Sequence, residues 1–290
     1  MIRREARLAL ERAGALGRFP TPVADIMVVA RVQEVEEDFL NETGFLAKMR
    51  KKAGAGLRSA LTKVLGLFDA REGLVFIDRQ MQRVKQTFVR LHEAAHGYLG
   101  WQRRMYAVVE DCERSLDPEV AELFDREANV FASEVLFQND AFSEEAAGFD
   151  FGIMTPVKLS RKYGASIYSS VRQYISKNYR TCAVLVINPP ELISGDGFRA
   201  TLRRVVTSDT FEAQFSACQW QESFTPDDAI GRMIPIGKRR ASGQRRLELV
   251  DDNGDRHNCV AEAFTQTHQV FVLIHVVQAL KATTVLMPGV

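Results

Sequence analysis

Two of the five histidines in this 290-residue chain, His92 and His96, lie four positions apart, with Glu93 directly after the first. Residues at this spacing are neighbours on one side of an α-helix, so both imidazoles can reach a single ion. A glutamate in this position projects towards the open coordination site, where it can accept a proton from water. The pattern therefore predicts a zinc site with Glu93 as the general base, although manganese or iron would tolerate the same ligands.

The segment that contains these histidines, residues 81–99, has the apolar periodicity of an amphipathic helix. Its predicted buried stripe comprises Val84, Phe88, Leu91, Ala95 and Tyr98. His92 and His96 each follow a stripe position by one residue, or about 100° around a helix, so we expect both to flank the core. A short strand is predicted at 74–77, and an edge strand beside a cleft can pair with an extended peptide. The alternative interpretation, an ordinary helix with two surface histidines, remains open on the pattern alone.

A catalytic zinc ion normally has three protein ligands and one open position, so a carboxylate from another helix is needed. Asp117 and Pro118 form a good cap and first turn for such a helix, which is predicted to run to about residue 137. The candidate ligands on it are Glu122, Asp125 and Glu127. The spacing of these acids along the helix does not show which of them is the third ligand. Asn129, four residues after Asp125, is predicted to orient a ligand or a neighbouring histidine from outside the coordination sphere.

The stretches TFVRLHEAAHGYL (87–99) and FDREANVFASEVLF (124–137) resemble the ImmA/IrrE family of metallopeptidases. That family has a strand, a His-Glu-x-x-His helix, and a helix that reads Glu-x-x-Ala-Asn-x-Phe-Ala-x-x-Leu-Leu. The positions that match the second helix are Ala128, Asn129, Phe131, Ala132 and Leu136. The resemblance covers roughly residues 20–180 and extends more faintly over the rest.

The resemblance implies a zinc-dependent endopeptidase with Zn²⁺ held by His92, His96 and Asp125. Asp125 occupies the position of the family's liganding glutamate and is one methylene shorter, so Glu127 is the alternative third ligand. Arg172 lies where the family often has a polar or basic residue, and it is a candidate catalytic residue, with Tyr174 nearby, for stabilising the oxyanion. The implied substrate is one regulatory protein, typically a DNA-binding repressor.

The predicted fold class is α+β, in three parts. Residues 1–145 are expected to form a mostly helical, zincin-like peptidase domain with a short sheet, and residues 146–180 a helix-turn-helix-like subdomain. Residues 181–290 are expected to form an α+β domain, which the resemblance implies is a GAF-like sensor domain. A change from helical to strand-like patterns near Arg180 indicates the last boundary.

Several element boundaries follow from helix and turn signals in the first 180 residues. An amphipathic helix is predicted over 2–17, ending near Gly17, and a second helix begins near Pro22 with Thr21 as its cap. The segment 46–64 is basic, contains several glycines, and has no assignment. A polar, acid-rich connection is expected after the histidine helix, a loop over 139–150, and two helices over 156–177 with a break at 163–166.

Strands dominate the predictions for the last third of the chain. They are expected at 182–188, 247–250, 258–260 and 269–277, because these runs are β-branched and apolar. The sequence Asp-Asn-Gly at 252–254 predicts a hairpin turn between two of them. His257, His268 and His275 are interpreted as structural residues.

Composition places limits on partners and location. The net charge of +1 and the pI near 7.7 give no global electrostatic case for nucleic acid, although a loop with Arg239, Arg240, Arg245 and Arg246 leaves direct binding open. No apolar run reaches membrane-spanning length and the N-terminal residues do not read as a secretory signal, so we expect a cytoplasmic protein without membrane contact. The scattered cysteines, Cys112, Cys182, Cys218 and Cys259, are then expected to be free thiols.

A second functional hypothesis belongs to a different class. The chain would be a non-catalytic regulator that binds DNA or protein through the helix-turn-helix-like segment and the C-terminal domain. The aspartate at position 125 favours this hypothesis slightly, because the shorter side chain requires a closer approach of its helix to the histidines. The two hypotheses differ in whether Glu93 is needed for the biological output.

Overall fold

The protein has a mixed α+β fold in the computed structural model, which describes residues 1–35, 66–77, 81–111, 116–193, 197–237, 240–266 and 268–277. The unassigned segment 46–64 and Cys112 lie outside these ranges. The chain divides into two compact units. The first comprises Met1–Ala146 and Lys158–Ser170, and the second comprises Ala147–Val157 and Val171–Val290.

The first unit combines helices with a small sheet. The helices are α1 (Ile2–Arg12), α2 (Val23–Ala30), α3 (Arg83–Tyr98), α4 (Gly100–Asp111), α5 (Pro118–Leu136) and α6 (Ala141–Ala147). The strands are β1 (Gln33–Glu34), β2 (Gly66–Asp69) and β3 (Leu74–Ile77), in the order β1-β3-β2. The strand predicted at 74–77 is therefore present, but the expectation that it is an edge strand was wrong, because it pairs with β1 on one side and β2 on the other. Helices α7 (Met154–Lys162) and α8 (Ile167–Ser176) each have residues in both units. They are separated at 163–166, where the sequence predicts a break, and Gly164 has a φ of 62°.

Helix α3 is the centre of the first unit, since it contacts α2, α5 and the strands β2 and β3. The predicted stripe is only partly correct. Leu91 and Ala95 are fully buried, whereas Val84, Phe88 and Tyr98 are half-buried. From Leu91 to Gly97 the helix is buried on almost every side, and His96 is 4% exposed instead of flanking the core. The reason is that neighbouring elements surround the last turns of α3, which the sequence of one helix cannot show.

The helix ends show which local signals were reliable. Asp117 caps α5 as predicted, because its side chain accepts a hydrogen bond from the backbone N–H of Glu119. The prediction for Thr21 was wrong, since its hydroxyl donates to the carbonyl oxygens of Val135 and Leu136 at the end of α5 instead of capping α2. Helix α1 ends at Arg12, before the predicted stop, since the chain turns at Gly14 with a φ of 56°.

Two segments predicted as connections contain helices. Residues 100–111 form α4, and residues 141–147, inside the predicted 139–150 loop, form α6. Helix α4 was missed because Glu110 and Asp111 at its end indicated an acidic connection, although the helix also contains apolar residues such as Trp101, Met105 and Val108. Helix α6 was missed because its seven residues give too short a window for periodicity, although Phe142 and Ala146 are buried at helical spacing.

The second unit is built on an antiparallel sheet. Its strands are β4 (Cys182–Ile187), β5 (Glu191–Ile193), β6 (Gly197–Thr207), β7 (Ser223–Phe224), β8 (Arg240–Ala241), β9 (Arg245–Val250), β10 (Arg256–Gln266) and β11 (Gln269–Val276). The order is β5-β6-β4-β11-β10-β8, with β7 paired to β6 and β9 paired to β10. Helix α9 (Asp209–Phe215) packs against β4. The predicted turn at 252–254 is confirmed, because β9 and β10 pair antiparallel and Gly254 has a φ of 88°.

The histidines of this sheet differ in whether their ring nitrogens have hydrogen-bond partners. The Nε2 atom of His257 lies 2.9 Å from a carboxylate oxygen of Asp251, which fits a structural role. His275 packs against the ring of Phe151 at 5.0 Å, but its buried Nδ1 has no hydrogen-bond partner among the described residues. The predicted basic loop is wrong in part, since Arg245 and Arg246 are exposed residues of β9.

None of the described helices combines the length and the apolar character needed to cross a lipid bilayer.

Gly97 should tolerate no side chain, because α3 passes close to α2 and β2 at this residue. A Cβ atom would lie 2.3 Å from Cγ1 of Val32 and 3.1 Å from the carbonyl oxygen of Ala30. We expect Gly97→Ala to lower the free energy of unfolding by about 1–3 kcal/mol, which outweighs the roughly 1 kcal/mol that alanine contributes through helix propensity. Urea denaturation followed by circular dichroism measures the difference. Gly100→Ala is the matched control, because no heavy atom lies within 4 Å of the added carbon; equal stabilities for the two variants would contradict the prediction.

Cys182 and Cys259 should resist alkylation in the folded protein. Both are fully buried in the sheet, and burial raises the pKa of Cys182 to about 12 and that of Cys259 to about 11. Since the thiolate is the reactive form, we expect iodoacetamide at pH 8 to leave both unmodified in the native state and to modify both after denaturation. Mass spectrometry of the peptides distinguishes the sites, and the half-buried Cys218 is the internal comparison. Equal labelling of all three native thiols would show that these strands open readily.

Candidate metal centre

Three side chains from two helices converge in the first unit. The Nε2 atoms of His92 and His96, one turn apart on α3, lie 3.2 Å from each other. The Oδ1 atom of Asp125, on α5, lies 3.8 Å from each of these nitrogens. Among the described residues, His92, His96 and Asp125 are the group of histidine, cysteine and carboxylate side chains close enough together to hold a metal ion.

The spacing of these atoms fits a metal ion. A tetrahedral zinc ion with bonds of about 2.0–2.2 Å separates its ligand atoms by roughly 3.3–3.5 Å. The imidazole pair at 3.2 Å already meets this requirement, and the two 3.8 Å separations need Asp125 to approach by a few tenths of an ångström. The Asp125 side chain is 63% exposed, so it is free of the tight packing that would oppose such a movement.

Each histidine has a hydrogen-bond partner on its other ring nitrogen. Nδ1 of His92 lies 3.2 Å from Oδ1 of Asn129, the residue predicted to orient a ligand. Nδ1 of His96 lies 2.7 Å from Oε1 of Gln102 on α4. In both cases a side-chain oxygen is suited to accept the Nδ1 proton, which leaves Nε2 with its lone pair directed at the other imidazole and at Asp125.

Burial keeps both imidazoles neutral. Burial, with a smaller contribution from the nearby His92, lowers the pKa of His96 to about 3, against the opposing effect of the bond to Gln102. The pKa of His92 is also lowered, chiefly by burial, against the opposing influence of Asp125 and Asn129. A metal ligand must have an unprotonated nitrogen, so this environment suits metal binding at neutral pH.

Glu93 is a buried carboxyl group beside the same cluster. Only 6% of the residue is exposed, and burial, with a smaller contribution from the negative charge of Asp125, raises its pKa to about 8. A carboxyl group held in this range can exchange a proton near neutral pH, which is what a general base or acid requires.

Aromatic side chains enclose the buried imidazole. The ring of Tyr106, on α4, meets the ring of His96 edge to face at 5.2 Å, and Phe68 of β2 stacks on it at 6.5 Å. Burial raises the pKa of Tyr106, and the charges of Asp125 and Glu93 raise it further, so the phenol stays protonated. Tyr106 and Gln102 were not predicted as site residues, because no helix was expected at 100–111. Their spacing of four residues was the available signal.

The remaining predicted site residues have other environments. Glu127 is not part of the group of candidate metal ligands. Its Oε2 atom accepts hydrogen bonds from Nε1 of Trp101 and Nε2 of Gln102, at 2.8 and 2.7 Å. Glu122 is exposed and pairs with Arg126. Arg172 is an exposed residue of the second unit, and the hydroxyl of Tyr174, also in that unit, accepts a hydrogen bond from the backbone N–H of Gly152.

Comparisons with known proteins agree with this geometry. The model of the family Peptidase_M78, described as the IrrE N-terminal-like domain, matches residues 51–170, which include all three candidate ligands and Glu93. Among solved structures, a Mycobacterium tuberculosis transcriptional regulator has a similar fold, with a TM-score of 0.51 and 12% sequence identity over 95% of this chain and 76% of that one. No curated protein sequence matches significantly. Residues 51–170 therefore match the IrrE N-terminal-like domain of Peptidase_M78, and the predicted resemblance to ImmA/IrrE metallopeptidases is confirmed.

Proposed function

We propose that the protein is a zinc-dependent endopeptidase in which His92, His96 and Asp125 hold the ion and Glu93 is the general base. The observation that carries the proposal is the convergence of these three ligand atoms next to a buried carboxyl group with a raised pKa. A structural zinc site would need no such group, since all of its positions are filled by protein ligands. The membership of this domain in a peptidase family supports the same conclusion.

The roles of the residues follow from their environments. A bound zinc ion lowers the pKa of a water molecule to about 7 and polarises the scissile carbonyl group. With the ion bound, Glu93 would accept the proton of the attacking water and later deliver it to the leaving amine. Tyr106, with its proton retained, is a hydrogen-bond donor next to His96. Arg172 remains a proposed donor to the oxyanion.

Strand β2 is the proposed binding edge for the substrate. It lies at one end of the order β1-β3-β2, and its Phe68 packs against His96. An extended peptide can add to such an edge through backbone hydrogen bonds, which would hold it beside the ligand atoms. Since this mode requires an unfolded stretch of chain, the substrate is expected to offer a flexible segment.

The substrate that we propose is a regulatory protein of the cytoplasm, such as a DNA-binding repressor. This inference rests on the family resemblance. The segment around α7 and α8 is proposed as a helix-turn-helix-like subdomain, and the antiparallel sheet of the second unit as a GAF-like sensor domain that regulates the peptidase. Direct contact with nucleic acid is a separate possibility, for which exposed arginines of β9 are the available residues.

The ligand set predicts the metal content of single variants. The purified protein should bind about one zinc ion per chain, and His92→Ala, His96→Ala and Asp125→Ala should each lose it, since two remaining ligands hold zinc weakly. Inductively coupled plasma mass spectrometry after removal of loosely bound metal makes the measurement. Glu122→Ala is the control, because Glu122 is another exposed acid on α5 that pairs with Arg126. Zinc retained in Asp125→Ala would assign the third ligand to another residue.

Glu93→Gln should separate metal binding from hydrolysis. The amide has nearly the same size but cannot accept the proton of water, so we expect normal zinc content and a loss of cleavage of about 10²–10⁴-fold. The variant should also retain its substrate, which can be recovered by crosslinking in cells and identified by mass spectrometry. If the variant kept the full biological output, the chain would act as a non-catalytic regulator, the second of the two functional hypotheses.

A further inference from the structure

We propose that Gln102 and Glu127 are positioning residues that fix the metal-binding tautomer of His96 before any metal arrives. This inference rests on the proposed metal site and assigns a role to two residues that are not themselves ligands. The observation behind it is a continuous chain of hydrogen bonds from Glu127 through Gln102 to His96.

The direction of the hydrogen bonds in this chain is determined by chemistry. A carboxylate only accepts hydrogen bonds, so Oε2 of Glu127 must face the NH₂ group of Gln102, at 2.7 Å. The amide oxygen of Gln102 then faces Nδ1 of His96, also at 2.7 Å. Because that oxygen has no proton to give, Nδ1 must be the protonated nitrogen of His96. Nε2 is left unprotonated, and this is the atom 3.2 Å from His92.

The chain is held in place by further contacts. Gln102 is fully buried, and its Nε2 also donates to the carbonyl oxygen of Phe124 at 3.3 Å. The indole N–H of Trp101 donates to the same carboxylate oxygen of Glu127 that Gln102 uses. Rotation of the Gln102 amide would set its oxygen against the carboxylate of Glu127 and the carbonyl oxygen of Phe124, which are both acceptors, so both hydrogen bonds that its NH₂ group donates would be lost. The burial of Gln102 therefore makes the alternative arrangement costly.

The two histidines are supported unequally. Asn129, the partner of His92, is exposed and makes a longer contact of 3.2 Å, so water can replace it. His96 is therefore the proposed ligand whose position is most restricted, whereas His92 and the exposed Asp125 can shift to complete the coordination of the metal. We therefore expect a larger loss of metal affinity from a change at Gln102 than from a change at Asn129.

The test measures metal binding by metal-free protein, without any substrate. Co²⁺ is titrated into each variant and followed by its visible absorption, and Zn²⁺ affinity is obtained by competition. Gln102→Leu should weaken binding by about 10–100-fold and change the cobalt spectrum, because the imidazole of His96 loses its orientation. Asn129→Ala should weaken binding by a smaller factor.

A double variant that exchanges the amide at 102 and the carboxylate at 127 tests whether metal affinity is recovered. In Gln102→Glu/Glu127→Gln the carboxylate at 102 accepts from His96 Nδ1 and from the amide at 127, so the bond between residues 102 and 127 reverses while the proton on His96 Nδ1 is kept. We expect this double variant to bind Co²⁺ and Zn²⁺ within a few-fold of the wild-type affinity. Gln102→Glu alone should bind poorly, since it sets two carboxylates against each other. The fluorescence of Trp101, which donates to residue 127, gives a second signal of metal binding.

The control is Gln138→Leu, which removes another buried glutamine of the same unit. The amide of Gln138 donates to the carbonyl oxygens of Ala15 and Arg18 and accepts from the backbone N–H of Gly17. Its loss should lower stability without changing metal affinity. Wild-type affinity in a folded Gln102→Leu protein, or no recovery in a folded double variant, would overturn the positioning role and leave the proposed peptidase intact. Absence of metal binding by the wild type would overturn both.

Discussion

The close packing of α3 against α2 and β2 is the constraint on which the candidate site depends. Gly97 has no room for a side chain beside Val32 and Phe68, and the residue before it is the buried ligand candidate His96. This approach brings the edge strand β2 next to the imidazole. The same contact therefore contributes to the hydrophobic core and positions the proposed peptide-binding edge relative to the proposed metal site.

Burial of polar groups at the end of α3 has an energetic cost. Glu93 and His96 are both nearly inaccessible to water, and their pKa values are displaced in the directions that favour the neutral forms. A protein selected only for stability would place apolar side chains here, since a buried ionisable group contributes less than a packed hydrophobic one. The chain keeps these residues buried, and such an exchange of stability for reactivity is typical of catalytic sites.

The sequence predicted the parts of the structure that depend on local signals. The cap at Asp117, the break near Gly164 and the turn at Gly254 all follow from residues with strong local preferences. The position of Thr21 depends instead on the end of α5, more than a hundred residues away in the chain, so its sequence context suggested the wrong partner. Tertiary contacts of this kind leave no periodic pattern.

The candidate site was likewise predicted in part from local sequence signals, and the rest of it depends on contacts between residues that are distant in the chain. The histidine spacing predicts the two proposed histidine ligands and the proposed base, because all three lie within five residues on one helix. The resemblance to a known family was needed to choose Asp125 among three acids. For Gln102 the available signal was its spacing of four residues from Tyr106, and a glutamine by itself predicts neither a helix nor a buried hydrogen bond. Its importance becomes visible only when Glu127 and His96 are known to lie on either side of it.

The proposed metal site takes its ligands from two helices, which links the site to the stability of the domain. His92 and His96 come from α3, whereas Asp125 comes from α5, and each 3.8 Å separation closes only if the helices hold their relative position. A ligand that binds only the folded arrangement stabilises it by mass action, so a bound metal would strengthen the contact between α3 and α5. The shorter aspartate increases this dependence, because it has less reach than a glutamate with which to compensate for a shift of α5. Packing between the two helices is thus part of the metal site, and the support of His96 by Gln102 from α4 extends that dependence to a third helix.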